Sequence, residues 1–73
     1  MTIGERAARA IKSRAPYGTL KDELGRLNIA LNTFYAWRNG AQDPSAYYLR
    51  RMALAGYDVI YILTGKENQH VDD

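Results

Sequence analysis

The chain has no cysteine, one histidine, two prolines, one tryptophan and one phenylalanine in 73 residues. Without thiols there is no disulfide framework and no thiolate zinc site. The single histidine, His70, lies in a polar final stretch with no partner for catalysis or metal binding, and reads as solvated. The longest apolar run, residues 59–63, is far short of the ~18 residues a membrane span requires. The first residues lack the apolar core of a secretory signal. These absences point to a reducing compartment such as a bacterial-type cytoplasm, with no membrane partner. There is no internal repeat, no low-complexity tract and no alternating strand pattern. One further absence matters more: no acidic residue occurs between Glu23 and Asp43.

What is present fits one small domain. A chain this short buries only about 60% of its unfolded surface, so tight helical packing or oligomerisation must supply the rest. The net charge of +2 conceals a division. Residues 1–56 hold nine Lys/Arg against four Asp/Glu, a net +5; residues 57–73 hold Lys66 against four acids, a net −3. A cationic body favours a polyanion such as nucleic acid.

Helix punctuation divides the chain into five short helices. Thr2 with Glu5 forms a capping box ahead of Ile3, Ala7, Ala10 and Ile11 at helical spacing. Ala15-Pro16-Tyr17-Gly18 breaks this helix. Thr19, with Asp22 in the box position, opens a second helix whose stripe is Leu20, Leu24 and Leu27. Asn28, tolerant of left-handed geometry, interrupts before a third run over residues 31–39 that buries Phe34 and Trp37 and stops at Gly40. Asp43-Pro44 reads as cap and first position of a fourth helix, with Leu49, Met52 and Ala53 inside and Gly56 at its end. Asp58 caps a fifth, over residues 59–63, closed by Thr64-Gly65. The expectation is an all-α domain over residues 1–65 and a polar, frayed tail over 66–73.

Function is carried by the middle. Two helices of about eight residues joined by about three have helix-turn-helix spacing, in which the second helix enters a DNA major groove. On a helical wheel Ala30, Phe34 and Trp37 share one side of the third helix. Asn32, Tyr35, Ala36 and Asn39 lie opposite, flanked by Leu31, Thr33 and Arg38. This outward face is uncharged apart from Arg38, whereas an ordinary solvated helix carries Glu and Lys. Amides pair bidentately with adenine, and tyrosine or threonine touches a thymine methyl. Arg14, Tyr17, Lys21, Arg38 and Gln42 stand around it as candidate phosphate contacts. The bland alternative is a polar face that touches nothing.

Residues 3–65 resemble the phage-repressor/Cro-type (XRE-type) helix-turn-helix family. The resemblance is carried in order by Trp37-Arg38-Asn39-Gly40, by Asp43-Pro44-Ser45-Ala46-Tyr47-Tyr48-Leu49, and by Gly56-Tyr57-Asp58-Val59-Ile60-Tyr61-Ile62-Leu63-Thr64-Gly65. It implies a compact five-helix, lambda-repressor-like domain and a dimeric, operator-binding transcriptional regulator. It also implies base contacts from Leu31, Asn32, Thr33, Tyr35 and Ala36. Three departures stand out. Thr19-Leu20 replaces the family's Thr/Ser-Gln, so Lys21 is the substitute for the phosphate-holding amide. Leu24 stands where a small residue is usual, so either the helix crossing widens or Gly25 takes the close contact. Asn28 replaces the usual turn glycine, and Ala30 the usual Ser/Thr cap.

Five consecutive apolar residues on little more than one turn cannot all face one small core. Ile60, Tyr61, Tyr57 and Leu54 therefore form a candidate dimer interface, with capping of the monomer core as the alternative for Ile60 and Tyr61. A twofold dimer would bind a pseudo-palindromic operator in double-stranded DNA. Arg50 and Arg51 read as a solvated face, and Phe34 and Trp37 as core rather than base-stacking platforms. No serine or threonine has a base beside it, so no enzyme, cofactor, metal or small-molecule ligand is expected. Two other readings remain open on the same fold: a protein-interaction module of antitoxin or adaptor type, and a DNA-architectural or excision factor.

Overall fold

The computed structural model describes residues 1–15 and 19–66. They form an all-α domain of five helices: α1 (Ile3–Arg14), α2 (Leu20–Leu27), α3 (Leu31–Arg38), α4 (Ala46–Leu54) and α5 (Val59–Thr64). No strand occurs among the described residues.

The capping box forms as the sequence indicates. Glu5 N–H donates to Thr2 Oγ1 at 3.0 Å, and Thr2 N–H donates to Glu5 Oε1 at 2.7 Å. Asn28 closes α2 in the left-handed region at φ 58°, so an asparagine does the work of a turn glycine. Ile29 then drops into the core, and α3 begins after Ala30 in extended backbone. Asp58 caps α5 by accepting the Tyr61 N–H at 3.0 Å.

α1 is the organising element, packed against α2, α3 and α5. Its apolar stripe of Ala7, Ala8 and Ile11 meets Leu24, Leu27, Phe34, Trp37, Met52 and Ile62 in one buried cluster. Two alanines in that stripe let the neighbouring helices approach closely. The nearest approach is at Gly4. A Cβ there would collide with the Gln42 carbonyl oxygen and lie 3.1 Å from both Cα and O of Trp37. The same residue donates its N–H to Asp43 Oδ1 at 2.8 Å.

That bond explains one departure from expectation. Asp43-Pro44 does not start the fourth helix, which begins at Ala46 with Ser45 at the N-cap. The Asp43 carboxylate instead satisfies a first-turn N–H of α1, and Pro44 is buried. Other local expectations also shift. Thr19 occupies the N-cap of α2, but its side chain makes no capping bond. Leu49 is half-buried and Met52 buried, whereas Ala53 is exposed. Ala30 is exposed rather than part of the inner side of α3. Gly25 faces open space, so the close contact falls to buried Leu24. The helix break at 16–18 and the tail over 67–73, His70 included, lie outside the described residues.

Three arginines tie helix ends together. Arg6 Nε donates to Ile62 O at 2.8 Å and Nη2 to Leu63 O at 3.2 Å, covering the last turn of α5. Arg14 Nη1 donates to Ala55 O at 2.7 Å, at the end of α4. Arg51 Nε donates to Leu27 O at 2.9 Å, at the end of α2, so Arg51 is a strut rather than a solvated cation. Each places positive charge at the negative end of a helix dipole and satisfies an orphan carbonyl.

Two glycines on neighbouring helices should therefore answer oppositely to alanine. Gly4→Ala is expected to cost about 3 kcal/mol, the upper end of ordinary overpacking, because backbone must move. Gly25→Ala is expected to stabilise by about 1 kcal/mol through helix propensity alone. Urea unfolding of both variants checks this; equal and small shifts would show that α1 does not seat as closely as described.

Candidate nucleic-acid interface

α3 is anchored by Phe34 and Trp37, three residues apart and buried on its inner side. The Trp37 ring meets Tyr48 edge-on at 5.2 Å, which fixes α3 against α4. With the inner side fixed, helical periodicity turns Leu31, Asn32, Tyr35 and Asn39 outward, and all four are exposed. Thr33 and Ala36 lie half-buried at the margins.

The outward face is partly preorganised. The Tyr35 ring, 39% exposed, rests against Phe34 with centroids 5.7 Å apart. The Arg38 guanidinium lies 4.6 Å from the centroid of the Tyr35 ring. Such a cation–π contact holds the arginine along the helix while leaving its N–H groups available. Asn39 N–H donates to Tyr35 O at 2.9 Å, and Ala41 and Gln42 N–H both donate to Ala36 O, at 2.9 and 3.3 Å. The chain after α3 thus folds back, and exposed Asn39 and Gln42 stay beside the helix end.

Of the expected phosphate contacts, Arg14, Lys21, Arg38 and Gln42 are exposed. Lys21 has no ion-pair partner among the described residues, where the one ion pair is Arg26 with Glu23. Arg14 is drawn elsewhere: besides its bond to Ala55 O, its guanidinium lies 4.1 Å from the Tyr57 ring centroid. It braces the α4–α5 turn instead of standing free beside α3. Tyr17 falls outside the described residues.

Of the expected interface residues, Leu54 is 74% exposed and Ile60 52%, with Tyr61 half-buried. Tyr57 departs from that set. It is only 8% exposed and belongs to the core, because its hydroxyl donates to the buried carboxylate of Glu23. Leu63, not singled out from sequence, is exposed on α5 beside Ile60 at helical spacing.

The Glu23 site escaped sequence reading altogether. A carboxylate 3% exposed is unusual, and it is stabilised by the Tyr57 hydroxyl and by the Arg26 guanidinium. The hydrogen bond from Tyr57, then the bond and charge of Arg26, hold the Glu23 carboxyl below its ordinary 4.5 against the opposing cost of burial. Burial, then the facing carboxylate, pushes the Tyr57 phenol upward, so it remains a donor. With Arg14 over the same ring, the cluster locks α2 to the α4–α5 turn and so fixes the base from which α3 projects. Among the described residues no three metal-ligating side chains gather, and no helix is long and apolar enough to cross a membrane. Compared with known proteins, the chain matches no family model, no curated protein and no solved structure.

The Glu23 cluster predicts acid sensitivity with a definite sign. A carboxyl with a lowered folded-state pKa contributes stability above its unfolded value, here near 4.5, and loses it as pH falls through the folded value. Unfolding free energy measured from about pH 6 to about pH 3 should decline less steeply in Glu23→Gln than in the unsubstituted chain. Tyr57→Phe should cost about 1–3 kcal/mol at neutral pH by leaving the buried carboxylate short of a donor. Identical pH slopes would mean that Glu23 is not held as a buried anion.

Proposed function

We propose that the chain is a sequence-specific double-stranded-DNA-binding transcriptional regulator, a repressor of phage type that binds a pseudo-palindromic operator as a dimer. The observation that carries this reading is the outward face of α3. It exposes Asn32, Tyr35 and Asn39 with no acid, on a helix fixed from behind by Phe34 and Trp37. A free surface helix has little use for that composition; a helix lying against base edges does.

In this reading α3 lies in the major groove. Asn32 offers an amide to an adenine edge, and Leu31, Thr33 and Ala36 offer apolar contact to thymine methyls. Tyr35 and Asn39 complete the face. Lys21 at the start of α2, Arg38 along α3 and Gln42 beyond it meet phosphates, which set register without reading sequence. No residue is assigned a catalytic role, and the function needs no cofactor.

Exposed Leu54, Ile60 and Leu63 are the features that favour pairing of two copies. A twofold dimer would present two copies of α3 about 34 Å apart, one turn of B-DNA.

Two measurements test the reading. Duplexes selected from a random pool should share a motif, and Asn32→Ala should bind the selected site about 1–3 kcal/mol more weakly with relaxed preference at one base pair. Lys21→Ala should instead weaken all duplexes alike and reduce the salt slope by about 1. No enriched motif, or an unaffected Asn32→Ala, would contradict it. Separately, Leu54→Lys with Ile60→Lys should convert a dimer to a monomer in sedimentation equilibrium without loss of helical signal. An unchanged mass would place the contact elsewhere.

A further inference from the structure

Between α1 and α3 runs an open groove of about 520 Å³, walled by the buried side chains of Ala8 and Phe34 and bordered by exposed Met1. Small-molecule sites commonly enclose about 300–1,000 Å³. Arg9, Lys12 and Arg38 also line this groove, and all three are exposed. Arg9 and Lys12, three apart on α1, are neighbours of like charge on one helix face. None of the three has an ion-pair partner among the described residues. Glu5 lines the groove four residues before Arg9, a spacing suited to pairing with it. Its carboxylate instead accepts the Thr2 N–H at 2.7 Å, and that bond holds its pKa below the ordinary 4.5. The side chains of the groove therefore carry three positive charges against one negative, a net +2.

The other basic residues are placed differently. Arg6, Arg14 and Arg51 donate to carbonyls at helix ends, and Arg26 pairs with Glu23. Lys21 and Arg50 are exposed but do not line the groove. Unpaired positive charge thus gathers where apolar walls also stand.

We infer that the α1–α3 groove binds a small organic phosphate monoester, its phosphate held by Arg9, Lys12 and Arg38 and its apolar group against Ala8, Phe34 and Met1. The charges balance: a phosphate monoester carries about −1.5 to −2 at pH 7, with three strong acceptor oxygens, against a net +2 and three cationic donors. The guanidinium forks of Arg9 and Arg38 suit bidentate pairing with phosphate, and Lys12 adds a point charge. The exposed Ser13 hydroxyl, also on the groove, supplies a neutral donor. Bare phosphate would leave the apolar walls wet, and a duplex backbone has no use for a recess between them. No such ligand could be expected from sequence, because the groove exists only where α1 meets α3. Arg38 belongs to the outward face of α3 as well, with its guanidinium 4.6 Å from the Tyr35 ring centroid. On the DNA-binding reading, the bound monoester competes with duplex phosphate for that arginine.

The probe is 1-naphthyl phosphate, with inorganic phosphate and 1-naphthalenemethanol carrying its two halves separately. Constant ionic strength removes bulk screening as a cause. Titrated into the isotope-labelled full chain, the probe should give saturating amide shifts centred on Ala8, Arg9, Lys12, Ser13 and Phe34. It should bind at least about tenfold more tightly than either half, because the two contacts are linked. Arg9→Gln combined with Lys12→Gln should weaken it about tenfold, whereas Arg50→Gln should leave it unchanged. Equal binding of inorganic phosphate would mean an adventitious anion only, and equal binding of the alcohol an apolar recess only; either overturns the inference. So do shifts centred elsewhere, an equal effect of Arg50→Gln, or groove shifts that appear with random duplex but not with the probe, which would give these cations to DNA. The probe titrations use no DNA, so their failure leaves the α3 reading untouched. If the probe binds but does not raise the Kd for random duplex at the same ionic strength, the competition for Arg38 is refuted.

Discussion

The close seating of α1 on α3 is the constraint from which the rest follows. Gly4 brings α1 against the backbone of Trp37 and Gln42 with no room for a methyl group, and Asp43 fixes the contact by accepting its N–H. Once α1 lies there, Ala7, Ala8 and Ile11 face the centre of the cluster and Phe34 and Trp37 are enclosed. The outward face of α3 is then determined. Beside that contact an open groove runs between α1 and α3, walled by Ala8 and Phe34. The outward face of α3 and the groove are two consequences of one contact.

The cationic body also takes on a more definite meaning. Among nine basic residues up to residue 56, Arg6, Arg14 and Arg51 donate to carbonyls at the ends of α5, α4 and α2, and Arg26 pairs with Glu23. These hold the fold together. Arg9, Lys12, Lys21, Arg38 and Arg50 are exposed and hold no helix end. Their distribution leaves Lys21 and Arg38 on α2 and α3, and Arg9 and Lys12 along α1.

What was legible in the sequence was local. The Thr2–Glu5 box, the left-handed Asn28, the Asp58 cap and the burial of Phe34 and Trp37 depend on neighbours within a turn or so, and each appears as read. What was not legible depends on partners distant in sequence. Asp43 has the pattern of a helix cap, but it caps a helix 39 residues away. Tyr57 has the character of an interface residue until Glu23, 34 residues earlier, draws its hydroxyl inward. Gly4, inside an ordinary helical pattern, gives no local sign of the backbone it must meet. The face of α3 could be read because its exposure follows helical period from two anchored aromatics. The groove beside it could not, because it needs two helices at once.

The proposed DNA binding requires that α3 present its neutral face to base edges. Titration of the isotope-labelled chain with its selected duplex tests that claim most directly. The largest amide and side-chain shifts should fall on Leu31, Asn32, Tyr35, Arg38 and Asn39, with the Asn32 side-chain amide protons moving most. Shifts centred on α4 or α5 instead, with the Asn32 amide unmoved, would contradict it.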